Sequence, residues 1–453
     1  MIASISVANN QNYLMKSYYH GDLEKPGLWI GSGAKTLGLK GEVKETEMGN
    51  LWDGYSPDGE RKLVQNAGSS DRKKGDDITY SAPKSVSLAW AVADDDLKPE
   101  LEAAQHRAVL DANQYLEENA AYTRRGKGGA TQEKVGLVTA AFQHGTSREG
   151  DPQLHTHTLN LNIGTRDDGS TGSLDSQHLY DRKMAAGAVY RMRLATEVER
   201  LGFTTSRDEK GFFEVEGIPE EATKAFSTRS SQVTAHLKDR GLDDTPENRE
   251  RAALITRPVK GKVNEEELRT RWQEKADAFG VTAESIRELQ QRKVEQSEVE
   301  RQQSQKLVID SALEKCTRRN SVFKEHELDR AIADSSLGRG MTYDDMKGIK
   351  DGVLQSRKAV EVNGDKRNRC FTTLSASDEV ANATQDKINE VAPHEKRRQQ
   401  REERKKHRTE VQAQFDHRSA ETGALDNRFS LSANQKDLVK REERPLNDGY
   451  VSQ

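Results

Sequence analysis

Cysteine is nearly absent from this chain. Its 453 residues contain two, Cys316 and Cys370, far apart and without metal-type spacing. That excludes a disulfide framework and a thiolate zinc site, and it fits a reducing compartment. No apolar run approaches the length of a membrane span, so no membrane insertion is expected. No basic segment followed by a long apolar stretch opens the chain, so no signal peptide is expected. Charge of one sign is lacking too. Lys and Arg number 71 and Asp and Glu 75, for a net charge of -4. Any nucleic-acid contact must therefore come from local basic patches. Apolar residues are scarce at 33%, and mean hydropathy is -0.93. Such a chain holds part of its length as extended helix or disorder. There is no internal repeat. The segment Gly33-Ala34-Lys35-Thr36 invites a phosphate-loop reading, but Ala34 separates glycine from lysine and no strong strand precedes it. A turn with a short helix is expected there.

What the chain does have is a histidine-bearing stretch, FQHGTSREGDPQLHTHTLNLNIG at 142–164. Three of the chain's 11 histidines fall within it: His144, His155 and His157. In a strand, residues i and i+2 share a face. His155 and His157 therefore share one, and Leu159, Leu161 and Ile163 continue it. Thr156, Thr158, Asn160 and Asn162 take the other. Two imidazoles side by side on a strand can bind one divalent ion, and a turn can bring His144 alongside as a third ligand. Such a pair alone is as a rule two satisfied histidines, so the rest of the chain must decide.

Around that stretch the pattern is mixed. A strand is expected at Ile2–Val7, then a helix that ends near Tyr18 and Tyr19. Residues 77–81 read as a strand, with Ser81 capping a helix that has Pro83 in its first turn. Asp77 lies on that strand, either as a surface carboxylate or as a buried one that needs a partner. An amphipathic helix covers 99–120. Strands near 120–126 and 134–143 flank a basic, glycine-rich loop. Helices follow at 179–201 and 219–240, around a hairpin at 203–216. Residues 228–275 are charged and helical and look like an appended lobe. The order predicts an α+β domain, an antiparallel sheet with helices packed on it. Three segments are expected: 1–280, a linker helix and small helical module over 281–375, and a polar tail over 376–453. The basic run at 394–408 reads as a solvated helix, or else as a nucleic-acid arm.

A metal on three imidazoles keeps coordination positions open and can stabilise charge on a phosphoryl oxygen. Phosphate chemistry then needs a nucleophile, either water or a hydroxyl side chain, and the Tyr18-Tyr19 pair offers one. A tyrosine-linked phosphodiester keeps the bond energy, so a cut strand can be rejoined without ATP. A water-using phosphohydrolase and a DNA-binding regulator without catalysis are the competing readings.

At this point the chain resembles the MobF-type conjugative relaxases of the HUH endonuclease superfamily. The resemblance rests on SYYHG at 17–21, GSGAKTLGLKGEV at 31–43, DITYSAPKSVSL at 77–88, the histidine stretch and the AAGAVYRMRLATEVERLGF segment at 185–203. It implies an HUH-type antiparallel palm. It also implies that Tyr18 is the nucleophile at an origin of transfer and that His144, His155 and His157 are the metal ligands. Asp77 would orient one histidine and take the tyrosine's proton, and Arg148 would contact phosphate, as would the basic loop at 124–128. The implied cofactor is Mg²⁺ or Mn²⁺, with Zn²⁺ as an in vitro substitute. The implied partners are single-stranded DNA with an origin-of-transfer hairpin, accessory DNA-binding proteins, and the coupling protein of a type IV secretion machinery. The implied place is the bacterial cytoplasm, with passage to the recipient cell on the DNA. Two departures stand out. Many relatives carry a second tyrosine pair, whereas here Tyr55 is the next tyrosine, which leaves Tyr19 or a second protomer for ending transfer. Relatives also usually continue into a helicase. The stretch from Ser321 resembles its opening module, but no Walker motif follows, so nicking without unwinding is expected.

Overall fold

A computed structural model describes residues 3–8, 25–208, 211–256, 264–290, 298–362 and 369–373. Tyr18, Tyr19 and the tail from 376 onward lie outside the described residues. The chain opens with β1 (Ser4–Ala8), β2 (Leu28–Ile30), α1 (Ser32–Thr36) and α2 (Glu45–Trp52). Next come β3 (Gly75–Ser81), α3 (Lys84–Val92) and α4 (Leu97–Ala120). A short hairpin of β4 (Tyr122–Arg125) and β5 (Thr131–Lys134) precedes a long one of β6 (Gly136–Thr146) and β7 (Pro152–Thr165). They are followed by β8 (Thr171–Gly172), α5 (Gln177–Arg200), β9 (Thr205–Arg207) and β10 (Phe213–Val215). Six helices come next: α6 (Glu220–Ala225), α7 (Thr228–Asp239), α8 (Pro246–Ile255), α9 (Glu265–Asp277), α10 (Ala283–Leu289) and α11 (Glu298–Thr317). The last described elements are β11 (Val322–Lys324), α12 (Glu325–Ser336), α13 (Tyr343–Gln355), β12 (Ala359–Glu361) and β13 (Cys370–Thr373).

The central sheet runs β1-β3-β7-β6-β2, with β8 added beside β7, and every pairing is antiparallel. β7 is thus an interior strand, which explains its length and its near-complete burial. The 24-residue helices α4 and α5 pack against each other and cover one face of the sheet. Their contact is rich in alanine: Ala104, Ala108 and Ala112 on α4, and Ala185, Ala188 and Ala195 on α5. Small side chains let two helix axes approach closely. The other face carries Trp29, Val138, Ala140, Phe142, Leu159, Leu161 and Ile163, covered by Met48, Leu51, Trp52 and Val64.

The alternation on β7 does not separate water from core. Thr156, Thr158 and Asn160 are all buried, facing the α4 side. They are tolerated because each is hydrogen-bonded. Gln105 donates to Thr156 Oγ1 at 3.1 Å and to the Tyr80 carbonyl at 3.2 Å. Thr158 donates to the Ile78 carbonyl at 2.9 Å, and Thr139 to Asn160 Oδ1 at 2.7 Å.

Several local expectations shift. The first strand is Ser4–Ala8 rather than Ile2–Val7. Helix α3 starts after Pro83 with no side-chain cap, so Ser81 remains the last strand residue. The helix expected over 219–240 is two, interrupted at Phe226 and Ser227, where Phe226 turns into the core. The segment after 320 also contains a three-stranded sheet, β11-β13-β12, besides its helices. Cys370, Phe371, Thr372 and Thr373 are all buried, and this strand needs two neighbours to satisfy its backbone.

Residues 298–362 and 369–373 pack on the outer side of α4 and α5, within the same apolar core. A charged cluster sits in that contact. Arg182 on α5 donates to Glu325 at 2.8 Å and to Asp329 at 3.1 Å. Lys350 reaches both carboxylates, at 3.0 and 2.8 Å, and the Tyr115 hydroxyl donates to Asp329 at 3.0 Å. Burial opposes ionisation of Glu325, but Lys350 and Arg182 outweigh it and hold the carboxyl down at about 2.

Candidate metal centre

The long hairpin sets the three histidines beside one another. His144 on β6 is the direct cross-strand partner of His155 on β7, and Phe142 is the partner of His157. All three imidazoles project on the face that Leu159 and Leu161 continue, where the apolar cluster closes one end. Their ring centroids form a triangle with each side 5.2 Å. One ring nitrogen from each lies within 4.8 Å of the other two. His144 is buried, while His155 and His157 are half-buried, so the centre opens outward at their end.

Proton positions follow from the partners. His155 Nδ1 lies 2.8 Å from the Gln153 carbonyl, which can only accept, so the proton sits on Nδ1. His157 Nδ1 lies 2.8 Å from Asp77 Oδ2 and 3.1 Å from Oδ1. It too is the donor. In both rings Nε2 is left as the lone-pair nitrogen that a metal needs. Asp77 is paired across the sheet with Leu159, not with His157. It reaches the imidazole diagonally, and the residue opposite His157 is Thr79, whose Oγ1 lies 3.1 Å from the same Nδ1. The expected partnership of Asp77 with a histidine is therefore present. Thr79 and the Gln153 carbonyl were not legible in the sequence.

The turn joining the two histidine strands is held from outside. The Trp272 indole of α9 donates to the Gly150 carbonyl at 2.7 Å. Asp151 accepts from the Thr228 amide at 2.8 Å and from its hydroxyl at 3.0 Å, at the start of α7. The region that reads as an appended lobe thus grips the metal hairpin. Arg148 lies in this turn, half-buried, four residues from His144. Beside His144 a cleft is lined by Lys25, Trp90, Lys98, Glu102, Gln143 and Arg269. Lys25 pairs with Glu102, and the Lys98 ammonium stands 4.8 Å over the Trp90 ring. On the β4–β5 hairpin, Arg124 pairs with Asp175 at 2.9 Å and Arg125 with Asp168 at 3.0 Å. The basic character expected of 124–128 is thus partly neutralised within the chain.

Residues 5–279 match the TrwC relaxase family. The chain belongs to the TrwC relaxase family. It is 34% identical over 269 residues to the multifunctional conjugation protein TraI of Escherichia coli (strain K12). That alignment takes in 56% of this chain and 15% of TraI, so the chain matches only a small part of that relative's length. Among solved structures, the metal-bound conjugative relaxase TrwC in complex with oriT DNA is 34% identical, with a TM-score of 0.57. The likeness covers 62% of this chain and all of the TrwC chain. A second TrwC structure, complexed with a 27-mer DNA comprising the recognition hairpin and the cleavage site, is 33% identical with a TM-score of 0.56. The relaxase domain is thus a mixed α/β fold built on an antiparallel sheet, and its histidine triad suits a divalent metal. A metal held there would act as a Lewis acid toward phosphate oxygens.

Proposed function

We propose that this relaxase domain cuts and rejoins one strand of plasmid DNA at an origin of transfer, through a tyrosine-linked intermediate. The observation that carries the reading is the triangle of His144, His155 and His157 with Asp77 bound to His157 Nδ1. In this reading the Tyr18 hydroxyl attacks the scissile phosphorus. A tyrosine O–P bond forms and the P–O3′ bond breaks; the Tyr18 phenol gives up its proton to Asp77, and the leaving 3′ oxygen takes up a proton in turn. The protein is left on the 5′ end of the cut strand. Reversal restores the phosphodiester and frees Tyr18. Tyr19, adjacent in sequence, is the second hydroxyl available for a later strand transfer.

The chain's own residues prepare this step. Asp77 fixes the His157 tautomer and adds negative charge that strengthens the ring as a ligand. Gln153 does the first of these for His155. The apolar floor under the imidazoles excludes water from one side. Arg148, on the turn, supplies a cation for the phosphate backbone, and the cleft beside His144 offers Lys98 to an adjoining phosphate. Exposed arginine–carboxylate pairs such as those on the β4–β5 hairpin are weak and screened by solvent, so DNA phosphates can displace the carboxylates. The ion is Mg²⁺ or Mn²⁺ in the cell. Three nitrogen ligands also suit Zn²⁺ in vitro. The DNA partner is a single strand beside an origin hairpin. Accessory DNA-binding proteins, a coupling protein, the bacterial cytoplasm and passage to a recipient complete the proposal.

The test is a denaturing gel of protein incubated with Mn²⁺ and oligonucleotides tiled across the plasmid's transfer origin. A covalent protein–DNA band is expected with the native protein, and none with Tyr18→Phe. An undiminished band with Tyr18→Phe removes Tyr18 from the role. Cleaved DNA with no protein attached points to hydrolysis by water instead.

A further inference from the structure

The SAPKSVS stretch at 81–87 opens with Ser81, the cross-strand partner of His155, and grips the backbone on both sides of Gln153. Lys84 Nζ donates to the Pro152 carbonyl at 2.9 Å. Ser87 Oγ accepts from the Leu154 amide at 3.1 Å and donates to the Pro83 carbonyl at 3.0 Å. The Ala82 amide donates to the Leu154 carbonyl at 2.9 Å. Both backbone groups of Leu154 and the carbonyl of Pro152 are thus tied to one turn. The peptide between them carries the Gln153 carbonyl that receives the His155 Nδ1 proton. Ser87 and Leu154 are fully buried, so these bonds are shielded from competing water. Ser85 anchors the same turn to β10 by accepting from the Val215 amide at 2.9 Å.

We infer that Lys84 and Ser87 are positioning residues for the metal centre: they fix the Gln153 carbonyl, which holds His155 as the Nδ1–H tautomer with Nε2 offered to the ion. Asp77 does this for His157 with a side chain. For His155 the chain uses a backbone carbonyl, and a carbonyl can be aimed only by restraining the peptide that bears it. The inference rests on the reading of the triad as a metal centre.

Calorimetric titration of the full, DNA-free chain with Mn²⁺ tests it, together with ¹⁵N NMR of the imidazoles in metal-free protein. Ser87→Ala and Lys84→Met are each expected to weaken Mn²⁺ binding by about tenfold, the low end for groups that support a ligating histidine. Both are expected to move His155 ¹⁵N shifts toward a mixture of tautomers. Thr139→Val is the control, because it breaks a buried bond between the same two strands away from the histidines. It is expected to lower thermal stability and leave Mn²⁺ affinity and the His155 shifts unchanged. Native affinity and tautomer in both Ser87→Ala and Lys84→Met overturn the inference, as does an equal loss in Thr139→Val. Absence of Mn²⁺ uptake by the native protein overturns instead the metal reading beneath it.

Discussion

At the scale of single residues, the centre depends on which imidazole nitrogen carries the proton. Asp77 settles this for His157 by accepting from Nδ1, and Asp77→Ala should release it. The expected result is Mn²⁺ affinity about 10- to 100-fold weaker, measured by titration of DNA-free protein. His155→Ala removes a ligand outright and should abolish stoichiometric uptake in the same titration. An Asp77→Ala protein with native affinity would remove that carboxylate from the centre. Much of this was legible beforehand. Strand period two places His155 and His157 on one face from sequence alone. From the residues alone the Asp77 contact was legible only as a need for some partner; the family resemblance named a histidine, but which one depends on register, since the reach is diagonal between two strands. Thr79 and the Gln153 carbonyl left no signal. A threonine is common in strands, and a backbone acceptor has no residue type to read.

At the scale of elements, the β6–β7 hairpin is a rigid arm gripped at its turn by α7 and α9. Trp272 is buried in the core and donates to the Gly150 carbonyl. Trp272→Phe keeps an aromatic ring and loses that bond. It should cost about 0.5–1.5 kcal/mol in urea unfolding, the net worth of one hydrogen bond, since the Gly150 carbonyl is half-buried. Gln105 makes a parallel case under the sheet. It bridges Tyr80, Thr156 and the Tyr190 hydroxyl, and Gln105→Leu should cost a similar or larger amount in the same measurement. Unchanged unfolding midpoints in both variants would show that these bonds add nothing to hairpin or sheet. The sequence pattern found these strands and helices, and it placed Thr156, Thr158 and Asn160 on one face of β7. What covers that face was not legible, because it depends on Gln105, 51 residues away from Thr156, and no local window contains that distance.

At the scale of the whole molecule, residues 298–362 and 369–373 share a core with α4 and α5 and meet them through the Arg182 cluster. The sign of its pH dependence follows from Glu325. Its folded pKa is depressed to about 2 from an ordinary 4.5, so the unfolded chain binds more protons between those values. The stabilisation is fully present above the unfolded pKa and is lost as pH falls from about 4.5 toward 2. Urea unfolding of the native protein should therefore lose stability across that window, and Glu325→Gln should flatten this part of the profile. The α+β class was legible from element order, whereas the three-stranded sheet after residue 320 was not, because its strands are only three or four residues long.

The central claim joins the histidine triangle to a tyrosine on another element. It is tested most directly by mapping the DNA-linked peptide after reaction with an origin strand, once with Mn²⁺ and once with a chelator. The account predicts a 5′-phosphonucleotide on Tyr18 with Mn²⁺ and none with the chelator. Linkage through another residue outside the Tyr18-Tyr19 pair, or equal linkage without metal, would contradict it.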